Sequence, residues 1–379
     1  MKWVAVLAAS LAAGAPMALR AQDSITCRHG QCVETISGRA PIGHRLRVNA
    51  RGPVTLEAGV GRELQYTLTV NVRAANEAEA RRLLGGFSVR VVRGGEWSVV
   101  TAPGEPLAAK LALRCPRLVE ASVVTESGPV QASGVDGPLT VDSVAGPLWV
   151  DRIKGDCQLK TLGGEIRAGD IGGALTSTTG FGPITVKSVR GEALLQTMGG
   201  DIIAGDAGGR VNAETGAGAI RIARAAAAVD ATTGAGQIWV GSAGGLVTAH
   251  DMAGLINVGS AAGAHCESAS GGVQLGRIAG SIRVSAAMGN IMASLLRAAP
   301  DSYLTTGNGD ITLLVPSNVG VTIQAEDALA DSLRRILSEF PQIQARRIGP
   351  RIVAQGQVNG GGPIVRVSSG GGAIFIKRQ

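Results

Sequence analysis

Residues 182–217 fall into four successive blocks of nine, GPITVKSVR, GEALLQTMG, GDIIAGDAG and GRVNAETGA, and each block opens on glycine. The same spacing extends well beyond these blocks, with Ala227 at the one position where glycine is missing. A fixed internal period is the signature of a repeat architecture. The marker glycines on this spacing are Gly128, Gly137, Gly146, Gly155, Gly164, Gly173, Gly182, Gly191, Gly200, Gly209, Gly218, Gly236, Gly245, Gly254, Gly263 and Gly272.

Apolar residues hold fixed places within each nine-residue unit. The second position after the marker is apolar, as at Ile184 and Ile202, and the fourth is apolar or alanine, as at Val186 and Ala204. Because side chains of a strand alternate between its faces, both positions face inward and the residue between them faces solvent. We expect a third inward point at the seventh position, at Val135, Val144, Ile153, Leu162, Ile171, Val189 and Met198.

Six positions after the marker, a second rhythm appears. Threonine recurs there in every second unit, so two units form one coil with two facing parallel sheets. Two interpretations are open: a threonine array for ice or glycan, or side chains that satisfy turn backbone groups. The second is favoured because such side chains are common beside turn glycines. The threonines are Thr161, Thr179, Thr197, Thr215 and Thr233, and Asp170, Ser188, Asp206, Ser242 and Asp251 mostly occupy the alternate units.

Two short helices are predicted to interrupt the strands. The first runs from Asn76 to Leu84, with Glu79 placed for a capping box. The second is predicted by an apolar stripe at helical spacing that ends at Pro341. We expect the second helix to cover a solenoid end or flank, with a membrane-surface helix as the alternative. The stripe consists of Leu329, Leu333, Ile336, Leu337 and Phe340.

The fold class predicted is therefore all-β, a parallel β-solenoid with two nine-residue units, or about 18 residues, per coil and with two short helical insertions. Its expected segments are a signal peptide (1–21), an N-terminal segment (22–44), a strand-rich N-terminal part of the solenoid (45–115), the regular β-solenoid (116–325), a helical insertion or cap (326–341) and C-terminal strands (342–379).

The first residues predict export. A basic start, an apolar run and the small residue Ala21 are typical of a signal peptide, and an uncleaved anchor is the alternative because Leu19 is unusual three residues before a cleavage site. Outside a reducing compartment, Cys27 and Cys32 are expected to form a small disulfide loop. The other three cysteines, Cys115, Cys157 and Cys266, are expected to be buried small hydrophobes or to form an occasional bridge.

The charge balance restricts the class of partner. Without the leader's Lys2 and Arg20, the formal net charge falls from +7 to +5, and the arginines are scattered. This charge pattern argues against a nucleic-acid partner and permits contact with an anionic polysaccharide or lipid headgroup. No other stretch is apolar for the roughly 18 residues that a membrane helix needs. The expected location is the periplasm, the outer cell surface or the extracellular space.

Together with the repeated Gly-x-Ile units, the closing segments 360–364 (GGGPI) and 372–376 (GAIFI) resemble the bacterial putative adhesin family. The resemblance covers roughly residues 45–379. It implies a β-solenoid at the cell envelope and supplies no catalytic residues.

Motifs for calcium and for common catalysts are absent. Calcium-binding nonapeptides need Gly-Gly-x-Gly-x-Asp, whereas here Ile166 and Ala168 replace the third glycine and the aspartate. No Gly-x-Ser-x-Gly, phosphate-loop or His-Glu-x-x-His motif occurs. We therefore expect no metal, no cofactor and no catalytic residues. The enzyme alternative is a polysaccharide lyase or hydrolase with Glu165 and Asp201 outward on one sheet, about 9.6 Å apart by strand spacing.

Candidate binding residues lie on the same outward face. Trp149 and Trp239 each follow their marker by three positions, and Arg167 and Arg221 share that position. An outward tryptophan offers large apolar area for a sugar or a protein, although a loop or helix that covers it is equally compatible with the sequence. The sequence thus predicts a non-enzymatic, exported surface protein for carbohydrate, protein or self-contact, with a β-helical carbohydrate-active enzyme and a passive scaffold as alternatives.

Overall fold

The structure is a computed structural model, and it describes residues 20–85, 87–103, 109–297, 299–300, 302–328 and 335–379. Strands make up 63% of it, and the described residues contain one short helix. The predicted all-β parallel solenoid with about 18 residues per coil is confirmed. The chain divides into two compact units, unit 1 ending at Leu162 and unit 2 beginning at Gly163.

Unit 1 combines antiparallel hairpins with parallel coils. One of its sheets has the order β1-β2-β5-β8-β4-β10-β12 and the other the order β6-β7-β3-β9-β11-β13. Its described elements are β1 (Arg20–Arg28), β2 (Gln31–Ala40), β3 (Arg45–Ala50), β4 (Val54–Ala58), β5 (Leu64–Arg73), α1 (Glu77–Leu84), β6 (Arg90–Gly94), β7 (Trp97–Thr101), β8 (Ala109–Cys115), β9 (Glu120–Ser127), β10 (Val130–Ser133), β11 (Leu139–Ala145), β12 (Leu148–Asp151) and β13 (Cys157–Thr161).

The N-terminal segment is a hairpin. His29 and Gly30 both have positive φ, 51° and 75°, as a two-residue turn between antiparallel strands requires. Cys27 and Cys32 face each other across β1 and β2 and form a disulfide. Residues 1–19 of the predicted signal peptide lie outside the described residues, and β1 begins at its last two positions.

The first predicted helix is present as α1. The side chain of Asn76 accepts a hydrogen bond from the Glu79 amide at 2.9 Å, and the Glu79 carboxylate accepts one from the Ala75 amide at 2.8 Å. The first bond satisfies an amide of the first turn, and the second one holds the residue before the N-cap, so the pair resembles a capping box shifted by one residue. The helix ends at Leu84, before Gly85.

Unit 2 has two parallel sheets built from alternate strands. We call the sheet β14-β16-β18-β20-β22-β24-β26-β28-β30-β36-β32 sheet A, and the sheet β15-β17-β19-β21-β23-β25-β27-β29-β35-β31-β34-β33 sheet B. The strands are β14 (Ile166–Ile171), β15 (Leu175–Thr179), β16 (Ile184–Val189), β17 (Ala193–Thr197), β18 (Ile202–Ala207), β19 (Val211–Thr215), β20 (Ile220–Ala225), β21 (Val229–Thr233), β22 (Ile238–Ala243), β23 (Leu246–Asp251), β24 (Ile256–Ala261), β25 (Gly263–Ser270), β26 (Val273–Ile278), β27 (Ile282–Met288), β28 (Ile291–Leu295), β29 (Ser302–Asn308), β30 (Ile311–Val315), β31 (Val321–Asp327), β32 (Ile336–Ser338), β33 (Gln344–Ile348), β34 (Arg351–Val358), β35 (Ile364–Ser369) and β36 (Ile374–Arg378).

The second predicted helix is wrong where it can be compared. Residues 329–334 lie outside the described residues, and residues 336–338 form β32, which pairs in parallel with β36. Backbone pairing with β36 favours the strand there, since Ile336 points inward and Leu337 outward as alternation requires. An antiparallel pair, β33 and β34, lies at the end of sheet B, where we expected a helical cap.

The core follows the predicted second and fourth positions, but the seventh position behaves differently in alternate units. Ile171 and Val189 are buried, whereas Val144, Leu162 and Met198 are 54%, 60% and 68% exposed. The inward prediction is therefore wrong for these three. The physical reason is that a buried serine or threonine occupies the inner corner in these units, so the next residue turns outward.

The threonines of unit 2, which are Thr179, Thr197, Thr215 and Thr233, form a buried hydrogen-bonded ladder. Each hydroxyl donates to the carbonyl of a marker glycine in the preceding coil, as Thr215 does to Gly200 at 2.8 Å. The hydroxyl of Thr215 also accepts from the Gly218 amide at 3.1 Å. The structural interpretation of the ladder is thus correct for these residues. Asp251 belongs to this ladder, beside Thr233, and not to the alternate units.

We predict that Thr215→Val lowers the free energy of unfolding by about 1–3 kcal/mol, because it leaves a buried carbonyl and a buried amide without this partner. The change keeps the shape of a side chain that is 2% exposed. Urea denaturation measures the effect, with the exposed Thr232→Val as the matched control. Equal midpoints for the two variants would show that the ladder does not stabilise the coil.

Candidate binding face on sheet A

One outward side chain from each strand of sheet A lies in a continuous row in unit 2. Strand register places one residue of the row on each strand, with neighbours about 4.8 Å apart. We call this set the sheet A row: Arg167, Thr185, Ile203, Arg221, Trp239, Asn257, Gln274, Met292, Thr312, Phe375 and Leu337. No member of the row is acidic.

Trp239 is the large aromatic residue near the middle of this row. It is 42% exposed. A Cβ atom added at Gly241 would lie 3.0 Å from Cη2 of the indole, so the ring extends along its own strand over Gly241. The glycine therefore leaves room for the indole to lie against the sheet. The result is an apolar platform with one polar N–H, open to solvent.

Polar groups flank the tryptophan on both sides. Arg221 lies on the preceding strand and Asn257 on the next. The Asn257 amide nitrogen donates to Oε1 of Gln274 at 3.3 Å, which orients two planar amides side by side. A guanidinium, an indole and two amides thus occupy four consecutive strands. These groups supply donors, acceptors and an apolar surface in one plane.

The structure brings together two of the four predicted binding residues. Arg221 and Trp239 are cross-strand neighbours. Arg167 lies in the same row three strands from Arg221, about 14 Å by strand spacing, and its guanidinium contacts Glu165 at 3.1 Å. Trp149 lies in unit 1, half-buried beside Gln131 on the neighbouring strand.

The two carboxylates of the enzyme alternative have structural partners. Glu165 pairs with Arg167, and Oδ1 of Asp201 accepts a hydrogen bond from the Ala219 amide at 2.8 Å. Asp310 makes the same bond to the Ala373 amide of its next coil. Asp201 therefore helps to hold one turn onto the next, and no observation favours a catalytic role for the pair.

No family model matches this chain, and no curated protein does. Solved structures similar to it include a "putative cell adhesion protein" from Clostridium sporogenes, with 9% identity, TM-score 0.16 and coverage of 96% of this chain and 100% of that one. A "putative adhesin" from Bacteroides fragilis shows 10% identity, TM-score 0.20 and coverage of 92% and 97%. A "putative adhesin" from Parabacteroides merdae shows 12% identity, TM-score 0.24 and coverage of 75% of this chain and 95% of that one. The first of these is described as a cell adhesion protein and the other two as adhesins, and none of these descriptions names a ligand.

Within the described residues, no three His, Cys, Asp or Glu side chains are grouped to hold a metal ion, and no helix is long and apolar enough to cross a membrane. Cys115, Cys157 and Cys266 are buried and free. Burial raises the pKa of each of these thiols to about 12. They are small core residues and not nucleophiles.

Sequence reasoning missed the apolar members of the row. Ile203 and Met292 are 41% and 42% exposed, on the same face as Trp239. The third position after the marker would have identified Ile203, since that position predicts Trp239. Met292 follows Gly289 at the same offset, but an interruption of the nine-residue spacing obscures it.

Proposed function

We propose that this protein is a non-enzymatic, exported surface protein that contacts carbohydrate through the sheet A row. The observation that carries the proposal is Trp239, which lies exposed over Gly241 between Arg221 and Asn257. Sugars present apolar ring faces surrounded by hydroxyl groups. An aromatic platform flanked by planar donors and acceptors matches both.

The shape of the face favours contact over catalysis. The row runs along the outside of short coils, where each strand contributes one side chain to an open surface. Catalytic sites for polysaccharides need convergent acid and base groups in a cleft. The row has no carboxylate, and the nearby carboxylates of Glu165 and Asp201 have partners.

Two features support export. The first residues have the pattern of a signal peptide, and the Cys27–Cys32 disulfide is of the kind that persists in oxidising compartments such as the periplasm. We infer that the protein acts at the cell envelope or outside the cell, with surface carbohydrate as its partner.

We predict that Trp239→Ala weakens binding to the recognised polysaccharide by about tenfold or more, because tryptophan is enriched among residues that dominate interface energies. The measurement is affinity electrophoresis of the full chain against a panel of neutral and acidic envelope polysaccharides. Since Trp239 is already exposed, its removal should leave the unfolding midpoint nearly unchanged.

Phe181→Ala is the matched control, because it removes an aromatic side chain that is 72% exposed but lies at a corner outside the sheet A row. The proposal expects this variant to bind as the parent does. Equal retention of Trp239→Ala and the parent on every polysaccharide that the parent binds would contradict a carbohydrate role for the sheet A row.

A further inference from the structure

A second row of side chains on sheet B has a different chemistry. His265, Arg283, Tyr303 and Arg366 occupy matching outward positions on the four consecutive strands β25, β27, β29 and β35. We call these four residues the sheet B ladder. The ladder spans about 14 Å by strand spacing, and its two arginines are about 9.6 Å apart. Thr248 and Gln324 continue the row at its two ends.

The ladder concentrates positive charge without a carboxylate among its members. Nε of Arg283 is buried and has no hydrogen-bond partner within the described residues. The pKa of His265 is lowered, first by burial and second by the positive charge of Arg283. Two guanidinium groups and an imidazole in one row, with no carboxylate among them, would stabilise an anion through charge-assisted hydrogen bonds.

Acidic groups near the ladder are engaged with other bases. On the same strand as His265, Glu267 contacts Nδ1 of His250 at 3.2 Å. At the other end of the row, Glu326 contacts Arg351 at 2.9 Å. The groups that face His265 from the neighbouring strands are Thr248 and His250 on one side and Arg283 and Ser285 on the other. Because Glu267 and Glu326 are paired with other bases, the two arginines give the ladder a net positive charge.

Tyr303 adds an apolar surface between the two arginines. It is 42% exposed, and its strand lies between those of Arg283 and Arg366. An aromatic ring with charged donors on either side fits a ligand that has both an apolar face and oxyanions. A sugar ring that carries a carboxylate has both properties, and a simple inorganic anion has only the second.

We propose that the sheet B ladder binds a polysaccharide of carboxylate-bearing sugars laid along the direction of strand stacking. The two arginines bind carboxylates, Tyr303 contacts a sugar ring between them, and His265 adds a third donor when it is protonated. The site is independent of the sheet A row, because it lies on the other sheet of unit 2 and uses none of the same residues.

The test measures binding of the full chain to polygalacturonate by calorimetry at low salt. We expect the double variant Arg283→Gln/Arg366→Gln to bind at least about tenfold more weakly. The control is Arg190→Gln, which removes one positive charge from an exposed turn of the same unit and is matched to the single variant Arg366→Gln. That variant should bind within about twofold of the parent, because it is outside the ladder.

Two further arms identify the ligand. Neutral dextran should bind at least tenfold more weakly than polygalacturonate, and inorganic phosphate should compete with it only at far higher concentration. NMR titration of the His265 ring should show its pKa rise when polygalacturonate binds, because a neighbouring carboxylate stabilises the imidazolium. A merely structural histidine would show no such change.

The single variant Arg366→Gln controls for a folding defect in the double variant, because this arginine is exposed and its replacement should leave the fold intact. Equal affinity of the parent, the single variant and the double variant for polygalacturonate would overturn the proposal, and so would competition by phosphate at equal concentration. Trp239→Ala should keep its affinity for polygalacturonate through the ladder. Failure of the sheet A row and failure of the sheet B ladder are therefore distinguishable.

Discussion

Gly200→Ala is expected to lower the free energy of unfolding by at least about 3 kcal/mol, near the upper end of what overpacking by a single methyl costs. A Cβ at this position would overlap the Gly182 carbonyl and lie 2.7 Å from the Pro183 nitrogen. These atoms belong to the backbone of the preceding coil, so no side-chain rotation relieves the contact. Urea denaturation followed by circular dichroism measures the loss.

The neighbouring glycine provides the control. A Cβ at Gly199 would have an ordinary contact, 3.6 Å from Cδ1 of Phe181. Gly199→Ala should therefore change the free energy of unfolding by no more than about 1 kcal/mol, in either direction. If both alanine variants had the parent's midpoint, close approach of successive coils would not be the reason for glycine at the marker positions.

This close approach explains why the fold could be predicted from sequence. At marker positions such as Gly182, Gly200 and Gly218, glycine is needed because one coil lies directly on the backbone of the previous one. This packing constraint recurs along the repeat, with Ala227 as an exception. The same holds for the inward apolar positions, such as Ile184, Ile202 and Ile220, which stack in register. A period of nine therefore specified both the coil and its core.

Two local predictions failed because a sequence pattern had a competing structural cause. The spacing of Ile336, Leu337 and Phe340 is compatible with a helix, yet β32 gains a strand partner in β36 that the pattern does not reveal. At the corners, Met198 is apolar but exposed because Thr197 takes the inner position and hydrogen-bonds to Gly182 at 3.0 Å. The hydrophobicity of the residues alone did not show that Thr197 faces inward and Met198 outward at this corner.

The candidate sites were predictable to different extents. Arg221 and Trp239 were found because the nine-residue register is unbroken between them. The sheet B ladder was not found from the sequence, because the spacing between Arg283 and Tyr303 departs from the nine-residue repeat. In addition, several other strands separate Tyr303 from Arg366 along the chain. Only the pairing of β29 with β35 brings Arg366 beside Tyr303.

Asp251 places a carboxyl group at a position of the ladder that threonine hydroxyls otherwise occupy. It is 5% exposed, at the position that Thr233 fills one coil earlier. Its Oδ1 accepts a hydrogen bond from the Ala253 amide at 3.1 Å, but Oδ2 has no partner within the described residues. Each threonine hydroxyl donates to the carbonyl of a marker glycine in the preceding coil, and the equivalent glycine for Asp251 is Gly236. Both Oδ2 and this carbonyl lie against Gly254. A carboxylate has no proton to donate there, whereas a protonated carboxyl has one.

Asp251→Asn is therefore expected to stabilise the protein by about 1–3 kcal/mol at pH 7, because the amide supplies the missing donor and removes a buried charge. Burial raises the pKa of Asp251 in the folded state above its unfolded value of about 3.9. The stability that its protonated form contributes is then fully present below pH 4 or so and is lost as pH rises through the folded pKa. The advantage of Asp251→Asn should accordingly shrink toward zero near pH 3, as urea midpoints across this range would show.

The exposed Asp206→Asn carries the same charge change without burial, so it should show no such gain at pH 7. A gain for Asp251→Asn that is equal at pH 3 and pH 7 would mean that the proton on Asp251 has no part in holding the ladder together.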